Sequence, residues 1–369
     1  MLGAVACSGA GRAGVPRPGG GPGYGPIPGT NVITTPLAPA ALVFHPDAPY
    51  AYVPGRHAND ITLYRTDPRD GRMLSFGSVS CGGIHPTFGS SFDASGRTLY
   101  VLNAQSNSIV QFDFERATGM LRCVDTVDLS GIPGAGIYPY VLTIDRENLH
   151  AYVTMYRSNR ILLFEIETQT GRLRFRSLIE TGPMPVGLFF DHGGRYAVVN
   201  NQAANRLQLF EAGKPGGGLA WVQDFEAPGL IEPFFAQPVP GRSMFYALAG
   251  GTNAIFHLEL RTDAGRARLE QCAAPVATGL GPNTFLALSR DDTHAFEANY
   301  QSNDISMYRV GASGVLRPLS PPSVATGPGP IQIKAMPGTD LFYSLDYLSN
   351  TIRVYRLGGG GQLLPECFE

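Results

Sequence analysis

The chain has 369 residues and is nearly neutral, with 28 Lys and Arg residues against 30 Asp and Glu residues and a net charge of −2. This balance, without any basic run, argues against a nucleic-acid partner. No apolar stretch reaches the roughly 18 residues that a membrane-spanning helix needs, so any link to a membrane would have to be an anchor.

The N-terminal part differs in composition from the rest. Residues 8–30 consist mainly of Gly, Pro, Ala and Ser, and such a segment buries too little apolar surface to fold by itself. We therefore predict a disordered tail over residues 1–36. Its first residues, LGAVAC at Leu2–Cys7, resemble the end of a bacterial lipoprotein signal, whose complete form would need a start upstream of Met1. An extracytoplasmic or lipid-anchored location is favoured over a cytoplasmic one, and the alternative is an ordinary disordered tail.

A sequence repeat occupies the remainder of the chain. Seven segments begin with Asn and alternate apolar with other residues, at successive steps of 48, 52, 46, 48, 50 and 47 residues. Alternation with a period of two is typical of a packed strand, and strands recurring every 40 to 50 residues are typical of a propeller. The segments are NDITLY at Asn59, NSIVQF at Asn107, NRILLF at Asn159, NRLQLF at Asn205, NAIFHL at Asn253, NDISMY at Asn303 and NTIRVY at Asn350.

Each Asn segment predicts the third of four strands. A second alternating run precedes it, such as Ala151–Met155, and a Gly, Asp or Pro turn precedes that run. A short apolar first strand, such as Leu188–Phe190, comes before the turn, and a Gly turn such as TGRL at Thr170–Leu173 leads to a fourth strand. The sequence therefore predicts an all-β fold: a seven-bladed β-propeller over residues 37–369 with four antiparallel strands per blade.

A proline precedes every predicted first strand, where no ladder hydrogen bond is lost. The first strand of a blade lines the central channel, so the residue before each proline is expected at the channel mouth. The loop after each second strand is expected on the same face, because the chain reverses direction with every strand. The residues before the prolines are Ala38, His85, Tyr138, Met184, Glu232, Gly281 and Gly329.

The repeat resembles the seven-bladed propeller lactonase family, which includes bacterial 6-phosphogluconolactonases and fungal carboxymuconate cyclases, and propellers built on Tyr-Val-Thr-Asn repeats. The segments that carry the likeness are Phe92–Leu121, Leu149–Leu173 and Phe296–Tyr308. The resemblance implies a hydrolase that acts on lactones. Active members often carry Gly-Pro-Arg-His before a first strand and Asn-Glu after the second, whereas this chain has GPNT at Gly281–Thr284 and Asn299 followed by Tyr300. The catalytic residues of the family are therefore not carried over.

Candidate site residues come instead from the predicted channel face. Lactone hydrolysis needs a base that activates water and donors that hold the developing oxyanion. We expect Glu232 or His85 as the base and Arg157 as the clamp for an oxyanion or carboxylate. Such a set would suit a small polar or anionic ligand, with no metal and no cofactor. The candidate substrate-binding residues are Tyr138, Arg56, His57, Asn103, Asn201, Gln202, Tyr300, Asp346 and Tyr347.

Two interpretations of the function remain open at this point. The first is a lactonase that hydrolyses or forms a small lactone at the channel mouth, and the second is a noncatalytic propeller of the cell envelope that binds a small ligand or a protein partner. Polar side chains also occur at wet channel mouths without any ligand. The cysteines Cys81, Cys123, Cys272 and Cys367 show no metal-ligand spacing, and we expect isolated buried thiols, with a Cys81–Cys367 disulfide as the exception to test.

Overall fold

In the computed structural model, six four-stranded antiparallel sheets and one sheet with an added fifth strand surround a central axis, and this confirms the predicted seven-bladed β-propeller. The structure describes residues 23–80, 82–87, 89–213, 215–263 and 265–369. The predicted lipoprotein-like segment at Leu2–Cys7 lies outside these ranges. Within them, no helix is long and apolar enough to cross a membrane.

The first three blades follow a short strand, β1 (Val32–Thr34), that belongs to the last blade. Blade 1 consists of β2 (Val43–Phe44), β3 (Tyr50–Gly55), β4 (Asp60–Thr66) and β5 (Met73–Val79). Blade 2 consists of β6 (Ser91–Phe92), β7 (Thr98–Asn103), β8 (Ser108–Phe114) and β9 (Leu121–Asp128). Blade 3 consists of β10 (Pro139–Ile144), β11 (His150–Met155), β12 (Arg160–Ile166) and β13 (Leu173–Glu180).

The remaining blades continue the same order, and the first strand of each contacts the first strand of a neighbouring blade around the axis. Blade 4 consists of β14 (Pro185–Phe190), β15 (Tyr196–Asn201), β16 (Arg206–Glu211) and β17 (Ala220–Phe225). Blade 5 consists of β18 (Pro233–Pro238), β19 (Met244–Ala249), β20 (Ala254–Asp263) and β21 (Arg266–Ala277). Blade 6 consists of β22 (Ala287–Leu288), β23 (His294–Asn299), β24 (Asp304–Val310) and β25 (Leu316–Ala325). Blade 7 consists of β26 (Pro330–Ala335), β27 (Leu341–Asp346), β28 (Thr351–Leu357) and β29 (Leu363–Pro365). Short 3₁₀ turns cover Leu129–Gly131, Gln202–Ala204, Pro215–Gly217 and Gly250–Thr252.

Both ends of the chain close the ring at blade 7. Strand β1 pairs with β28 through Val32 and Arg353, and β29 pairs with the other part of β28 through Leu357 and Leu363. The predicted boundary at residue 36 is therefore wrong, because Val32–Thr34 are part of a sheet. The apolar side chain of Ile33, which is fully buried, explains why this segment is ordered despite its Gly- and Pro-rich surroundings.

The repeated Asn residues fix the blades to one another. All seven adopt the left-handed backbone conformation, with φ between 48° and 57°, which Asn tolerates better than most side chains. In six of them the side-chain Oδ1 accepts a hydrogen bond from the residue before the proline of the next blade. Asn107 is the exception, because its Nδ2 donates to the Gly136 carbonyl instead at 3.0 Å. The repeated Asn residues therefore have a structural role at the turns between blades.

A second set of hydrogen bonds joins the blades on the opposite face. In five blades a fully buried second-strand Tyr donates its hydroxyl to the carbonyl of a turn Gly in the following blade, at 2.6–3.0 Å. Buried apolar clusters fill the space between adjacent blades. The donors are Tyr52, Tyr100, Tyr152, Tyr246 and Tyr343.

The cysteines depart from the expectation of isolated buried thiols. Cys123 and Cys367 each take part in a disulfide bond, and Cys272 is free and exposed. Cys81, which we considered as a partner for Cys367, lies outside the described residues, so that pairing stays a hypothesis.

Candidate functional site

Two residues of every blade build the channel mouth. One precedes the proline at the start of the first strand, and the other follows the end of the second strand. The seven residues that precede the prolines all have positive φ, between 50° and 71°. Their carbonyls each accept a hydrogen bond from the residue that follows the second strand, as in Tyr138 with Tyr156 at 3.0 Å and Glu232 with Gly250 at 3.1 Å. The predicted ring and the predicted loops therefore share one face.

Three tyrosines from blade 3 form the apolar wall of this mouth. The rings of Tyr140 and Tyr156 are stacked, with centroids 4.9 Å apart and an interplanar angle of 26°. Tyr138 lies 5.9 Å from Tyr156, and the exposed guanidinium of Arg157 lies 4.7 Å from the centroid of the Tyr138 ring. The hydroxyl of Tyr156 donates to Oε1 of Gln202 at 2.8 Å. These contacts hold a flat aromatic surface beside the exposed positive charge of Arg157.

His85 and Arg56 lie together on another part of the mouth. His85 is partly buried, and its backbone N–H donates to Oδ1 of Asn59 at 3.0 Å. Burial lowers the pKa of His85, and the positive charges of Arg56 and His57 lower it further. Arg56 lies 5.4 Å from the ring centroid of Tyr347. The lowered pKa favours the neutral imidazole, which can accept a proton.

Glu232 is an exposed residue of the same rim. Its backbone N–H donates to Oδ1 of Asn205 at 2.8 Å, which fixes the backbone. Burial raises the pKa of Tyr156, and Tyr138 and the negative charge of Glu232 raise it further. The positive charge of Arg157 lowers it. The structure thus brings Glu232 to the tyrosine wall.

Three predicted substrate-binding residues lie away from the open surface. Asn103, Asn201 and Asp346 end their second strands with side chains that are at most 2% exposed. They lie against the segments that lead to the inner strands, so closely that a Cβ on Gly327 would lie 2.1 Å from Oδ2 of Asp346. Asp346 accepts hydrogen bonds from the Gly327 N–H and from Thr326 and Ser344. These residues end their second strands, but the pleat directs their side chains between the segments instead of into the mouth.

The other predicted residues occupy the rim with different neighbours. Tyr300 packs over Gly329 of the next blade, where an added Cβ would lie 3.1 Å from its ring. The backbone N–H of Tyr347 donates to the Gly329 carbonyl at 2.9 Å. His57 is exposed and lines a surface cavity with Tyr24 and Asp60.

A known protein family shares the fold and the repeat of this chain. Residues 26–132 and 90–232 match the family model described as Lactonase, 7-bladed beta-propeller, and together these parts span more than half of the chain. The chain belongs to this lactonase family.

This lactonase-family chain is similar to proteins of more than one function. Over 318 residues it is 24% identical to a 6-phosphogluconolactonase of Sodalis glossinidius (strain morsitans), with 80% of this chain and 88% of the relative covered. The crystal structure of a putative 6-phosphogluconolactonase from Bacteroides fragilis superposes on this chain with a TM-score of 0.71 at 17% identity. The superposition covers 89% of this chain and 92% of that chain. Hydrazine synthase of Kuenenia stuttgartiensis matches with a TM-score of 0.63 at 17% identity, covering 88% and 97%. Likeness at these structural identities shows the fold alone.

Sequence reasoning missed Tyr140 in this lactonase-family propeller. It follows the proline of blade 3 directly, and Tyr140 is the only tyrosine among the seven residues at this position, although blade 5 has Phe234 there, so a large polar aromatic residue was a usable signal. Burial raises the pKa of Tyr140 far above its ordinary value, while the charge of Arg56 opposes that rise. Arg56 therefore acts electrostatically on both Tyr140 and His85.

A buried acid near blade 6 was also missed. Glu297 lies two residues before Asn299, is 0% exposed, and its Oε1 accepts hydrogen bonds from the N–H and hydroxyl of Thr284 at 3.3 and 3.2 Å. Burial raises the pKa of Glu297 well above its usual range. This carboxyl lies close to the segment where the family pattern has Arg and His, but it has no open surface to meet a ligand.

The mouth offers an imidazole with a lowered pKa, two guanidinium groups, one exposed carboxylate and a tyrosine wall. Within the described ranges, no group of three or more His, Cys, Asp and Glu side chains could hold a metal ion. The arrangement can bind a small ring with an anionic group and move a proton at His85.

Proposed function

We propose that this lactonase-family propeller hydrolyses a small polar lactone at the channel mouth, with His85 as the general base. The observation that carries the proposal is the position of His85 on the channel rim, where burial and the charge of Arg56 both lower its pKa. A base that activates water must be unprotonated, and an adjacent cation favours that state while also stabilising an anion. Glu232 is the other candidate base, and it lies beside Tyr156 instead of beside Arg56.

In the proposed reaction His85 takes a proton from water as the water oxygen adds to the lactone carbonyl. The carbonyl oxygen becomes an oxyanion, for which the Arg56 guanidinium supplies hydrogen-bond donors and positive charge. The ring C–O bond then breaks, and the departing alkoxide takes the proton from His85. One lactone and one water thus give one hydroxy acid, and His85 returns to its starting state.

The tyrosine wall and Arg157 favour a particular class of lactone. The stacked faces of Tyr140 and Tyr156 suit the apolar face of a sugar ring, and Gln202 and Tyr138 add polar groups at its edge. The guanidinium of Arg157 suits a carboxylate or phosphate substituent. The name of the Sodalis relative, 6-phosphogluconolactonase, agrees with a phosphorylated sugar lactone as the first substrate to test.

The test is a pH-stat assay of purified protein against sugar lactones, phosphorylated sugar lactones and muconolactones. His85→Gln is expected to lower kcat/KM by about 100-fold or more, the usual range for removal of a general base. His192→Gln, an exposed turn residue in the connection before β15, is the matched control and is expected to stay within about twofold of the parent. Turnover that survives His85→Gln but is lost in Glu232→Gln would transfer the role of base to Glu232.

The pH dependence provides an independent check. Because His85 acts as a base, kcat/KM falls when pH drops through its pKa, and burial together with Arg56 and His57 lowers that pKa. Arg56→Gln removes one of these charges, so the acid limb of the profile is expected to move to higher pH. Arg317→Gln, on the exposed outer strand of blade 6, should leave the limb in place. An acid limb that is identical in the Arg56 variant would contradict the assignment of His85.

A further inference from the structure

The channel interior contains a positive charge that the proposed reaction does not use. Only Lys214 and Lys334 are lysines in this chain, and every other one of the 28 basic residues is arginine. Lys334 lies in β26, the inner strand of blade 7, where it pairs with Tyr343. The choice of Lys in an Arg-rich chain is notable because an ammonium group is a compact charge with three donors.

Comparison of the seven blades shows that this charge is specific to blade 7. In each of the other six blades, one inner-strand residue occupies the position that Lys334 has in blade 7, opposite the equivalent of Tyr343 in the second strand. All six of these inner-strand residues are uncharged, so none of them places a titratable group at the level of Lys334. The six counterparts are Val43, Ser91, Thr143, Phe189, Gln237 and Ala287.

Lys334 lies against an aromatic cluster at the channel axis. Its Nζ is 5.9 Å from the centroid of the Phe285 ring. Phe285 stacks on Phe235 with centroids 4.1 Å apart and contacts Phe189 of blade 4 at 5.6 Å. Contacts between rings from blades 4 and 6, which are not adjacent, place this cluster across the axis.

The polar atoms in this layer are incompletely satisfied. Across the described part of the chain, no carboxylate forms an ion pair with Lys334 and no acceptor forms a hydrogen bond with it, although part of the side chain is exposed. Gln237 donates its Nε2 to the carbonyl of Leu286 at 3.0 Å, next to Phe285, and its buried Oε1 has no partner. An ammonium group without acceptors and a buried acceptor without a donor are both costly.

We propose that the channel interior between Lys334 and Gln237 binds a small oxyanion that also carries a hydroxyl group, such as hydrogen phosphate or a hydroxycarboxylate. The oxyanion supplies acceptors to the Lys334 ammonium, and the hydroxyl supplies a donor to Gln237 Oε1. The aromatic cluster excludes water from one side of the ion and thereby strengthens the attraction. This site lies on the inner strands and does not depend on the proposed lactonase reaction.

The test is NMR of protein labelled at the lysine side chains, which gives only two lysine signals. Lys214→Arg leaves Lys334 as the single signal and assigns it. Burial lowers the pKa of Lys334, and saturating inorganic phosphate or glycolate is expected to raise it by about one unit above its value in chloride buffer. That rise corresponds to roughly tenfold tighter binding of the anion to the ammonium form than to the amine.

Acetate and Gln237→Leu separate the two contacts. Acetate lacks the hydroxyl and is expected to raise the pKa of Lys334 less than glycolate does, and Gln237→Leu should abolish that difference. Circular dichroism of the variant establishes that it is folded. The proposal is overturned if phosphate and glycolate leave the Lys334 signal unchanged, or if sodium chloride at matched ionic strength reproduces the effect. An unchanged advantage of glycolate in Gln237→Leu would also overturn it as stated.

Discussion

The hydrogen bonds made by the repeated Asn residues allow a reciprocal stability test. Asn350 Oδ1 accepts from the Ala38 N–H at 2.7 Å across the junction between blades 7 and 1, and its φ is 55°. Asn107 acts instead as a donor, through Nδ2 to the Gly136 carbonyl. Aspartate keeps an acceptor but has no amide donor. Asn350→Asp should therefore be tolerated, whereas Asn107→Asp should not.

The magnitudes follow from the two functions of each Asn. Loss of the bond to a buried N–H costs about 1–3 kcal/mol, and a non-Gly residue without a local hydrogen bond at positive φ costs about 1–2 kcal/mol more. We expect a loss of about 1–3 kcal/mol in the free energy of unfolding for Asn350→Gly, a larger loss for Asn350→Ala, and less than about 1 kcal/mol for Asn350→Asp. Asn107→Asp should lose about 1–3 kcal/mol.

The assay is urea unfolding followed by far-ultraviolet circular dichroism, at one pH and ionic strength for all variants. Equal losses for Asn350→Asp and Asn107→Asp would refute the opposite hydrogen-bonding roles. A smaller loss for Asn350→Ala than for Asn350→Gly would refute the importance of the left-handed backbone at this position.

Two further predictions concern the closure of the ring and the buried acid of blade 7. Burial raises the pKa of Asp346 to about 7, above the pKa of an aspartate in the unfolded chain. The folded state therefore binds this proton more tightly, and the stability that this provides is complete at low pH. It is lost as pH rises from about 4 to about 7, at up to about 1.4 kcal/mol per pH unit. Asp346→Asn should flatten this fall in urea unfolding at several pH values, and an unchanged slope would contradict it. Ile33→Ala should lower the free energy of unfolding by about 2–5 kcal/mol because Ile33 is fully buried in the closure strand. Ile27→Ala, at an exposed position, should change it by less than about 1 kcal/mol, and similar losses for the two variants would show that β1 does not close the ring.

Parts of the site were predictable and parts were not, for a geometric reason. The prolines and the alternation of strands placed His85, Tyr138 and Glu232 on one face, because these features repeat in every blade. The same logic placed Asn103 and Asp346 there, yet both are buried under the connecting segments. A sequence period gives the end of a strand at which a residue lies, but the direction of its side chain depends on how the next blade packs.

Closure shows the same division between local pattern and assembly. Residues 1–36 looked like a tail by composition, because the three residues of β1 form too short a run to indicate a strand beside the Gly- and Pro-rich segment. Their stability comes from β28, which is more than 300 residues away in the sequence. Such a partner becomes visible only when the ring is complete.

The sequence by itself determined the seven blades, their four strands and the face on which the candidate residues gather, since hydrophobic period and turn chemistry are local properties. Only the tertiary structure decided that His85 lies beside Arg56, that Tyr140 stacks on Tyr156 and that Lys334 lies in the channel against Phe285. These neighbours come from different blades or different strands. Their charges and rings interact through space, so no spacing along the chain encodes those interactions.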